Sequence, residues 1–222
     1  MKRLFIAATA LLMMACAGSA IEQKCSTPVV AAEVIELLAV DSVGGSSINE
    51  ALWARKSSRD FTAEALSLEE LSGVVWAAAG VNRPENNHLT APSALGLYPI
   101  ETYAFLPEGI YRYEAAEHRL VRLVEGDYRS LSAMQEFAFT APLNLVYIAD
   151  LSRYEEMNFP LEVGRMLASL DAAGYAENVN LYAAGHQLKA ITRGSYKAAE
   201  MLELLGLDAN RYSVALAQTV GK

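Results

Sequence analysis

The sequence predicts an α+β fold, in which helices and strands are joined by both hairpins and crossovers. Two serine–glutamate capping boxes, Ser47–Glu50 and Ser67–Glu70, mark the starts of helices. Gly109–Tyr113 and Leu120–Val124 alternate polar and apolar residues on either side of a short polar turn, which is typical of a β-hairpin. Leu143–Ala149 is apolar on both faces, which indicates an interior strand.

The composition fits one globular domain. The chain has 222 residues, of which 53% are hydrophobic, so it can bury a full core and disorder is not expected. Its net charge of −8 argues against nucleic acid as a partner. Two cysteines cannot build a disulfide framework or a cysteine-based zinc site. His88, His118 and His186 lack ligand-like spacing, so no metal site is expected.

The first twenty residues are predicted to be a signal peptide. Lys2 and Arg3 form a basic start, and Leu4–Met14 is an apolar run too short to span a bilayer with ease. Gly18–Ala20 would suit ordinary cleavage, whereas Met13–Cys16 resembles the box before a lipidated bacterial cysteine and is slightly favoured. We therefore expect an exported protein, in the periplasm or cell envelope, that is membrane-attached if Cys16 is lipidated. A retained N-terminal anchor helix is the alternative.

Residues 21–46 are predicted to form an extended arm or linker, and residues 47–222 the main domain. Pro28 and Val43–Ser47 break regular structure. Val29–Val40 has no clean period and is either a strand or an arm on a partner surface.

The helices that follow the capping boxes are expected to end at Ala54 and Gly80. Asn82–Thr90 is polar and contains a proline, so it is predicted to be a loop. The other expected elements are a strand at 101–106, a helix at 127–137, a long helix at 161–188, a strand at 189–192, a turn at 193–195, a helix at 197–205 and a strand at 213–220. Trp53 and Trp76 are expected to anchor their helices.

Two stretches are unusual. Arg55–Arg59 holds two arginines, a lysine and two serines, and such donors suit phosphate oxygens. The alternative for this stretch is a solvated helix end, where cations are favoured. In Ala91–Pro99, prolines bracket small residues, so the backbone is stiff and can be approached closely.

Four pieces of the chain, in this order and spacing, resemble the nitroreductase family of flavin enzymes. They are Arg55–Arg59, Ala91–Gly96, Asp171–Asn178, and Arg193–Gly194 with Val220–Lys222. The resemblance covers Ile48–Lys222 and includes the SagB-type dehydrogenase branch, which shows a similar Pro-Ser-Ala-x-x-x-Tyr-Pro run.

The resemblance implies an interlocked homodimer with a mixed sheet flanked by helices and two FMN sites at the subunit interface. The chain ends would cross onto the partner, where the Val29–Val40 arm and the 213–220 strand would pair. No catalytic side chain is expected, since the flavin ring and water can manage the protons.

The resemblance also assigns residues to the FMN phosphate and ribityl chain. Arg55, Ser57 and Arg59 would hold these groups through charge-assisted contacts. Lys56 would contribute charge, and Lys222 would be a basic residue near the phosphate.

A second group is implied to lie near the isoalloxazine ring. Its members are Pro92, Ser93, Ala94, Leu95, Asn178, Arg193 and Gly194. Small residues at 92–94 would let backbone donors reach ring heteroatoms, and the Arg193–Gly194 turn would direct an amide at flavin N5 or O4.

The long helix departs from the pattern of many relatives. They carry Asp-Ala-Gly and then Gln-Asn, whereas this chain has Asp171–Ala173 and Glu177–Asn178. A Glu177 carboxylate near the ring would disfavour the anionic reduced flavin. Asp171 is expected to serve as a cap, salt-bridge or packing residue outside the site.

The expected function is a two-step hydride transfer from NAD(P)H through flavin N5 to a small organic acceptor, such as a nitroaromatic compound or a quinone. Nicotinamide cofactors are scarce outside the cytoplasm, so a different physiological electron donor is an open alternative. One alternative is a SagB-like oxidation of a peptide or heterocycle. Another is a surface lipoprotein that keeps the fold without the cofactor and acts as a binding module.

Overall fold

The computed structural model describes residues 33–222. The predicted signal peptide, Cys16, Cys25 and residues 21–32 of the predicted arm lie outside this range. Export and lipidation stay predictions, which N-terminal analysis of the mature protein would test.

The strands are β1 (Val34–Glu36), β2 (Val81–Arg83), β3 (His88–Leu89), β4 (Ile100–Leu106), β5 (Gly109–Glu114), β6 (Arg119–Glu125), β7 (Leu143–Asp150), β8 (Lys189–Arg193) and β9 (Tyr212–Gly221). The helices are α1 (Ile48–Ala54), α2 (Leu68–Ala79), α3 (Phe137–Thr140), α4 (Ser152–Glu155), α5 (Leu161–Gly185) and α6 (Ala198–Leu204). None of these helices is long and apolar enough to cross a membrane.

The main sheet has seven strands in the order β1-β6-β5-β4-β7-β9-β8, and β2 and β3 form a separate hairpin. The α+β prediction is thus confirmed. The expected mixed sheet needs refinement, because neighbouring strands of the main sheet all run antiparallel. The parallel pairing that the structure does show is an isolated bridge between Ser57 and Ala190.

Both capping boxes start helices as predicted. The Ser47 side chain accepts from the Glu50 backbone N–H, and Glu50 Oε2 accepts from the Ser47 N–H at 2.8 Å. Ser67 and Glu70 repeat the arrangement at the start of α2. Each cap satisfies backbone N–H groups that a helix leaves free, and a serine cap is worth about 1 kcal/mol.

The interior strand predicted at 143–149 is β7, and all eight of its residues are buried. Because side chains alternate along a strand, β7 serves two cores. Tyr147 packs with α2 and α5 on one face of the sheet, and Val146 packs with α6 on the other. Tyr147 meets Tyr175 of α5 edge to face, with ring centroids 6.0 Å apart.

The prediction of a helix at 127–137 is wrong. This stretch contains a 3₁₀ turn at Arg129–Leu131, and α3 begins only at its end. Asp127 accepts from both the backbone N–H and the guanidinium of Arg129, and Arg129 donates to the Ala141 carbonyl at 2.7 Å. Such side-chain bonds compete with a helical ladder and hold the chain in a turn.

The expected pairing of the 213–220 strand with a partner is also wrong. The C-terminal strand β9 lies between β7 and β8 of its own chain. The part of the arm that is described forms β1, which pairs with β6 of the same chain. The predicted 82–90 loop is in part the β2–β3 hairpin.

Trp53 does not anchor its helix, because 91% of its surface is exposed. Trp76 is half-buried, and its indole covers Gly80 at the end of α2, where an added Cβ would meet it at 2.1 Å.

An ion pair at the end of β7, between the buried Asp150 and the exposed Arg211, should make stability depend on pH. Arg211 donates to both oxygens of Asp150, at 2.8 and 2.5 Å. This contact lowers the pKa of Asp150 to about 2. Its stabilising effect is complete above the unfolded pKa of about 3.9 and is lost as the pH falls towards 2.

Arg211→Gln should therefore lower the free energy of unfolding by about 1–2 kcal/mol at neutral pH. The difference from wild type should shrink as the pH falls through the acid range, as measured by urea denaturation. Arg165→Gln is the control, because Arg165 is exposed and forms no ion pair within residues 33–222. If Arg211→Gln lowers the free energy of unfolding by the same amount at every pH, this account is contradicted.

Candidate functional site

The arginine-rich stretch lies along the edge strand β8. Ser57 bridges Ala190, and the Ser58 N–H donates to the Ala190 carbonyl at 3.1 Å. Further along, the Thr62 N–H donates to the Lys222 carbonyl at 2.9 Å. Since the stretch runs parallel to β8, it carries Arg59 to the end of that strand.

A groove of about 220 Å³ opens at this end, and we call it the basic groove. Its lining residues are Arg59, Gln135, Phe137, Ile191, Thr192, Arg193, Gly194 and Ser195. Two of them are arginines and none is acidic, although the chain as a whole carries a charge of −8. The resemblance assigns Arg59 to the phosphate and the Arg193–Gly194 turn to the ring, and the basic groove brings these two assignments together.

Arg193 supplies a buried positive charge beneath the basic groove. Its guanidinium donates to the Ser132 carbonyl at 2.5 Å, and to Asn144 Oδ1 and Thr219 Oγ1 at 2.9 Å each. All three acceptors are neutral, and its buried Nε has no partner within residues 33–222. Burial lowers the pKa of Arg193 to about 10, so the group stays cationic at neutral pH.

Arg55, Lys56 and Arg59 are exposed, and none of them forms an ion pair with another described residue. The nearby carboxylate of Asp60 is already engaged, because Lys189 Nζ donates to its side chain at 3.1 Å. That contact lowers the pKa of Asp60. The three cations thus stay available for an anionic ligand, although only Arg59 lines the basic groove.

Lys222 is placed differently from its predicted role. Its ammonium lies 2.7 Å from Glu64 Oε1 and 3.5 Å from Glu70 Oε2. The hydrogen bond to Glu64 raises the pKa of Lys222. These two carboxylates offset the positive charge that Lys222 was expected to offer a phosphate.

The proline-bracketed stretch folds into a turn, which we call the Pro92–Leu95 turn. The Ser93 hydroxyl donates to Asp171 Oδ2 at 2.5 Å, and the Ala94 N–H donates to Asp171 Oδ1 at 2.8 Å. The hydroxyl proton of Ser93 is therefore already used in a hydrogen bond within the protein. Asp171, which we expected to lie outside the site, holds the segment that the resemblance assigns to the flavin ring.

Leu95 has an unusual conformation in this turn. Its φ is +57° and 61% of its surface is exposed, and Gly96 follows with φ +67°. A side chain in the left-handed region costs about 1–2 kcal/mol, and such strain is common at ligand-binding turns. No described residue accepts a hydrogen bond from the Leu95 N–H.

The predicted site residues form two groups in one chain. The basic groove contains no residue of the Pro92–Leu95 turn. Asn178 belongs to neither group, because it lines a separate groove of about 390 Å³ that also includes Trp76 and His186.

Asn180 links the long helix to β8. Its amide donates to Thr192 Oγ1 at 3.3 Å, and its Oδ1 accepts from Gln218 at 2.8 Å. The exposed Glu177 accepts from Asn180 at 2.9 Å, so that carboxylate already has a donor within α5.

The family model described as the Nitroreductase family matches residues 52–222. The chain therefore belongs to the nitroreductase family, as the motifs predicted.

Related proteins agree with this assignment. A protein named as a nitroreductase in Methanocaldococcus jannaschii is 29% identical over 168 residues, covering 71% of this chain and 83% of that protein. The crystal structure of a protein named as a nitroreductase from Ralstonia eutropha JMP134 has a TM-score of 0.79 at 38% identity, covering 85% of this chain and 89% of the other.

A third similar structure, from Desulfovibrio desulfuricans, was solved in complex with FMN. Its TM-score is 0.55 at 22% identity, covering 80% of this chain and 87% of that chain. At this identity the likeness shows the fold alone.

Proposed function

We propose that the protein is an FMN-dependent oxidoreductase of the nitroreductase type that works as a homodimer. Membership in the nitroreductase family supports the reaction class. The observation that carries the proposal is the basic groove, which concentrates two arginines and no carboxylate in an acidic chain. Such a groove suits the dianionic phosphate of FMN.

The donors at the basic groove fit a phosphate group. Arg59 is exposed and forms no ion pair with a described residue, so its planar fork can take two phosphate oxygens. Arg193 is buried and contributes its charge rather than a contact. Arg55 and Ser57 are also exposed. They precede Arg59 along the chain and can add hydrogen-bond donors for the phosphate.

The Pro92–Leu95 turn fits the role of a ring contact through its backbone. The Ser93 hydroxyl and the Ala94 N–H are both bound to Asp171. Leu95 is left with an N–H that has no acceptor among residues 33–222, next to an exposed apolar side chain. A donor beside an apolar surface suits a flat heteroaromatic ring.

A second copy of the chain would complete the site. The basic groove, at about 220 Å³, is smaller than the 300–1,000 Å³ typical of small-molecule sites, and the Pro92–Leu95 turn lies outside it. Met166 and Leu170 stand one turn apart on α5 and are 55% and 63% exposed. Burial of these side chains would favour association.

Bound FMN would supply hydride-transfer chemistry between a reduced nicotinamide or another donor and a small organic acceptor such as a nitroaromatic compound or a quinone. The chain's own residues bind the cofactor and orient it. Among the described residues, no aspartate, glutamate or histidine lines the basic groove, so these residues offer it positive charge and hydrogen-bond donors rather than a proton-transferring group.

Replacing Arg59 tests the phosphate role. Arg59→Ala should weaken FMN binding by at least about tenfold, because it removes a charge-assisted contact worth roughly 1.5–3 kcal/mol. Quenching of FMN fluorescence on titration with the full chain measures the affinity. Arg165→Ala removes the same charge from the exposed surface of α5 and should leave the affinity unchanged. Equal affinities for Arg59→Ala and wild type would contradict the phosphate role.

A substitution of an exposed apolar residue of α5 tests whether the protein is a homodimer. Leu170→Glu should shift the protein from dimer to monomer in sedimentation equilibrium and weaken FMN binding with it, since a charge placed at an interface must be desolvated. Leu123→Glu, at a residue of β6 that is 45% exposed, is the matched control and should remain dimeric. A wild-type monomer that binds FMN fully would overturn this part of the proposal.

A further inference from the structure

Asp171 is a buried carboxylate with an unusual set of partners. It lies on α5, is 5% exposed, and forms no ion pair with any cation in residues 33–222. Its two oxygens accept instead from Ser93 and Ala94, which lie 78 and 77 residues away along the chain. Burying a charge is costly unless hydrogen bonds compensate it, so these two bonds are important to both partners.

The bonds extend through the turn. Ser93 donates its hydroxyl proton to Asp171, and the same oxygen accepts from the Tyr98 N–H at 2.8 Å. At the far end, Arg153 donates to the Leu97 carbonyl at 2.8 Å. The segment from Ser93 to Tyr98 is thus held at both ends.

This segment also carries backbone strain. Leu95 and Tyr98 have φ values of +57° and +47°, and neither residue is glycine. Strained conformations of this kind persist only where surrounding contacts determine them. The carboxylate of Asp171 provides such contacts, because it binds the residues directly before Leu95.

We infer that Asp171 is a positioning residue for the cofactor: through Ser93 and Ala94 it fixes the Pro92–Leu95 turn in the conformation that presents the Leu95 N–H to the FMN ring. The inference rests on the proposed function. In this role Asp171 acts through the turn, whose Ser93 hydroxyl and Ala94 N–H it binds.

The position of Asp171 also gives it an electrostatic effect. Its negative charge adds to burial in raising the pKa of Tyr154 to about 12. The hydroxyls of Tyr154 and Tyr175 are both buried without a partner in the described residues, so neither shields the carboxylate. A buried negative charge beside the turn disfavours electron-rich reduced flavin.

Asp171→Asn tests both effects. The amide can keep one acceptor for the Ala94 N–H, but it loses the charge and the acceptor for the Ser93 hydroxyl. In the apo protein, we expect hydrogen exchange at Ala94 and Tyr98 to become at least about tenfold faster. We also expect FMN to bind at least about tenfold more weakly and its midpoint potential to become more positive.

Glu177→Gln is the matched control, because it removes a negative charge from the exposed face of the same helix. It should leave the exchange rates, the FMN affinity and the midpoint potential close to wild type. An equal rise in potential for Glu177→Gln and Asp171→Asn would contradict a specific role for Asp171.

Ser93→Ala keeps the inference testable if Asp171→Asn does not fold. It removes the acceptor of the Tyr98 N–H, so hydrogen exchange should become faster at Tyr98 than at Ala94, relative to wild type. Like Asp171→Asn, it should weaken FMN binding. Faster exchange with unchanged affinity and potential would make Asp171 structural only and would refute the inference.

The proposed function fails separately from this inference. If wild type binds no FMN, the cofactor proposal is wrong, whereas the exchange experiment still tests whether Asp171 fixes the turn. If wild type binds FMN and neither Asp171→Asn nor Ser93→Ala changes exchange or affinity, only the inference is wrong.

Discussion

The basic groove depends on a buried arginine, Arg193, whose charge is neutralised by no carboxylate between residues 33 and 222. Removing a cation from water costs several kcal/mol, and Arg193 recovers this through hydrogen bonds to Ser132, Asn144 and Thr219. Because these acceptors are neutral, the positive charge persists beneath the groove. Those acceptors are positioned by three separate regions of the chain: the turn after residue 129, β7 and β9. The antiparallel sheet therefore creates the electrostatic character of the site.

The fold brings the cationic parts of the sequence to one edge of this sheet. The Arg55–Arg59 stretch leaves α1, runs along β8 and reaches the turn at Gly194. The Pro92–Leu95 turn is tied instead to α5 by Asp171. Two half-sites in one chain, with exposed apolar side chains on α5, suit a symmetric pair in which each copy supplies what the other lacks.

Local patterns predicted much of the fold. The capping boxes and the apolar run of β7 are properties of neighbouring residues, and both gave the correct elements. The helix predicted at 127–137 failed because Asp127 and Arg129 form a side-chain turn that periodicity does not reveal. The proximity of Arg59 to Gly194 came from the family resemblance. Asp171 was missed because its partners lie 77 and 78 residues away, although its place on the buried face of α5, beside Ala172 and Tyr175, was a usable signal.

The central claim is that these two half-sites hold a reducible flavin. The visible absorbance spectrum of the purified full-length protein, loaded with FMN and then mixed with NADH without oxygen, tests it most directly. The account predicts flavin bands that stay with the protein through gel filtration and bleach on reduction. A folded protein that remains colourless after incubation with FMN would contradict it. Retained flavin that NADH cannot bleach but a peptide or heterocycle substrate can would keep the cofactor and overturn the proposed electron donor.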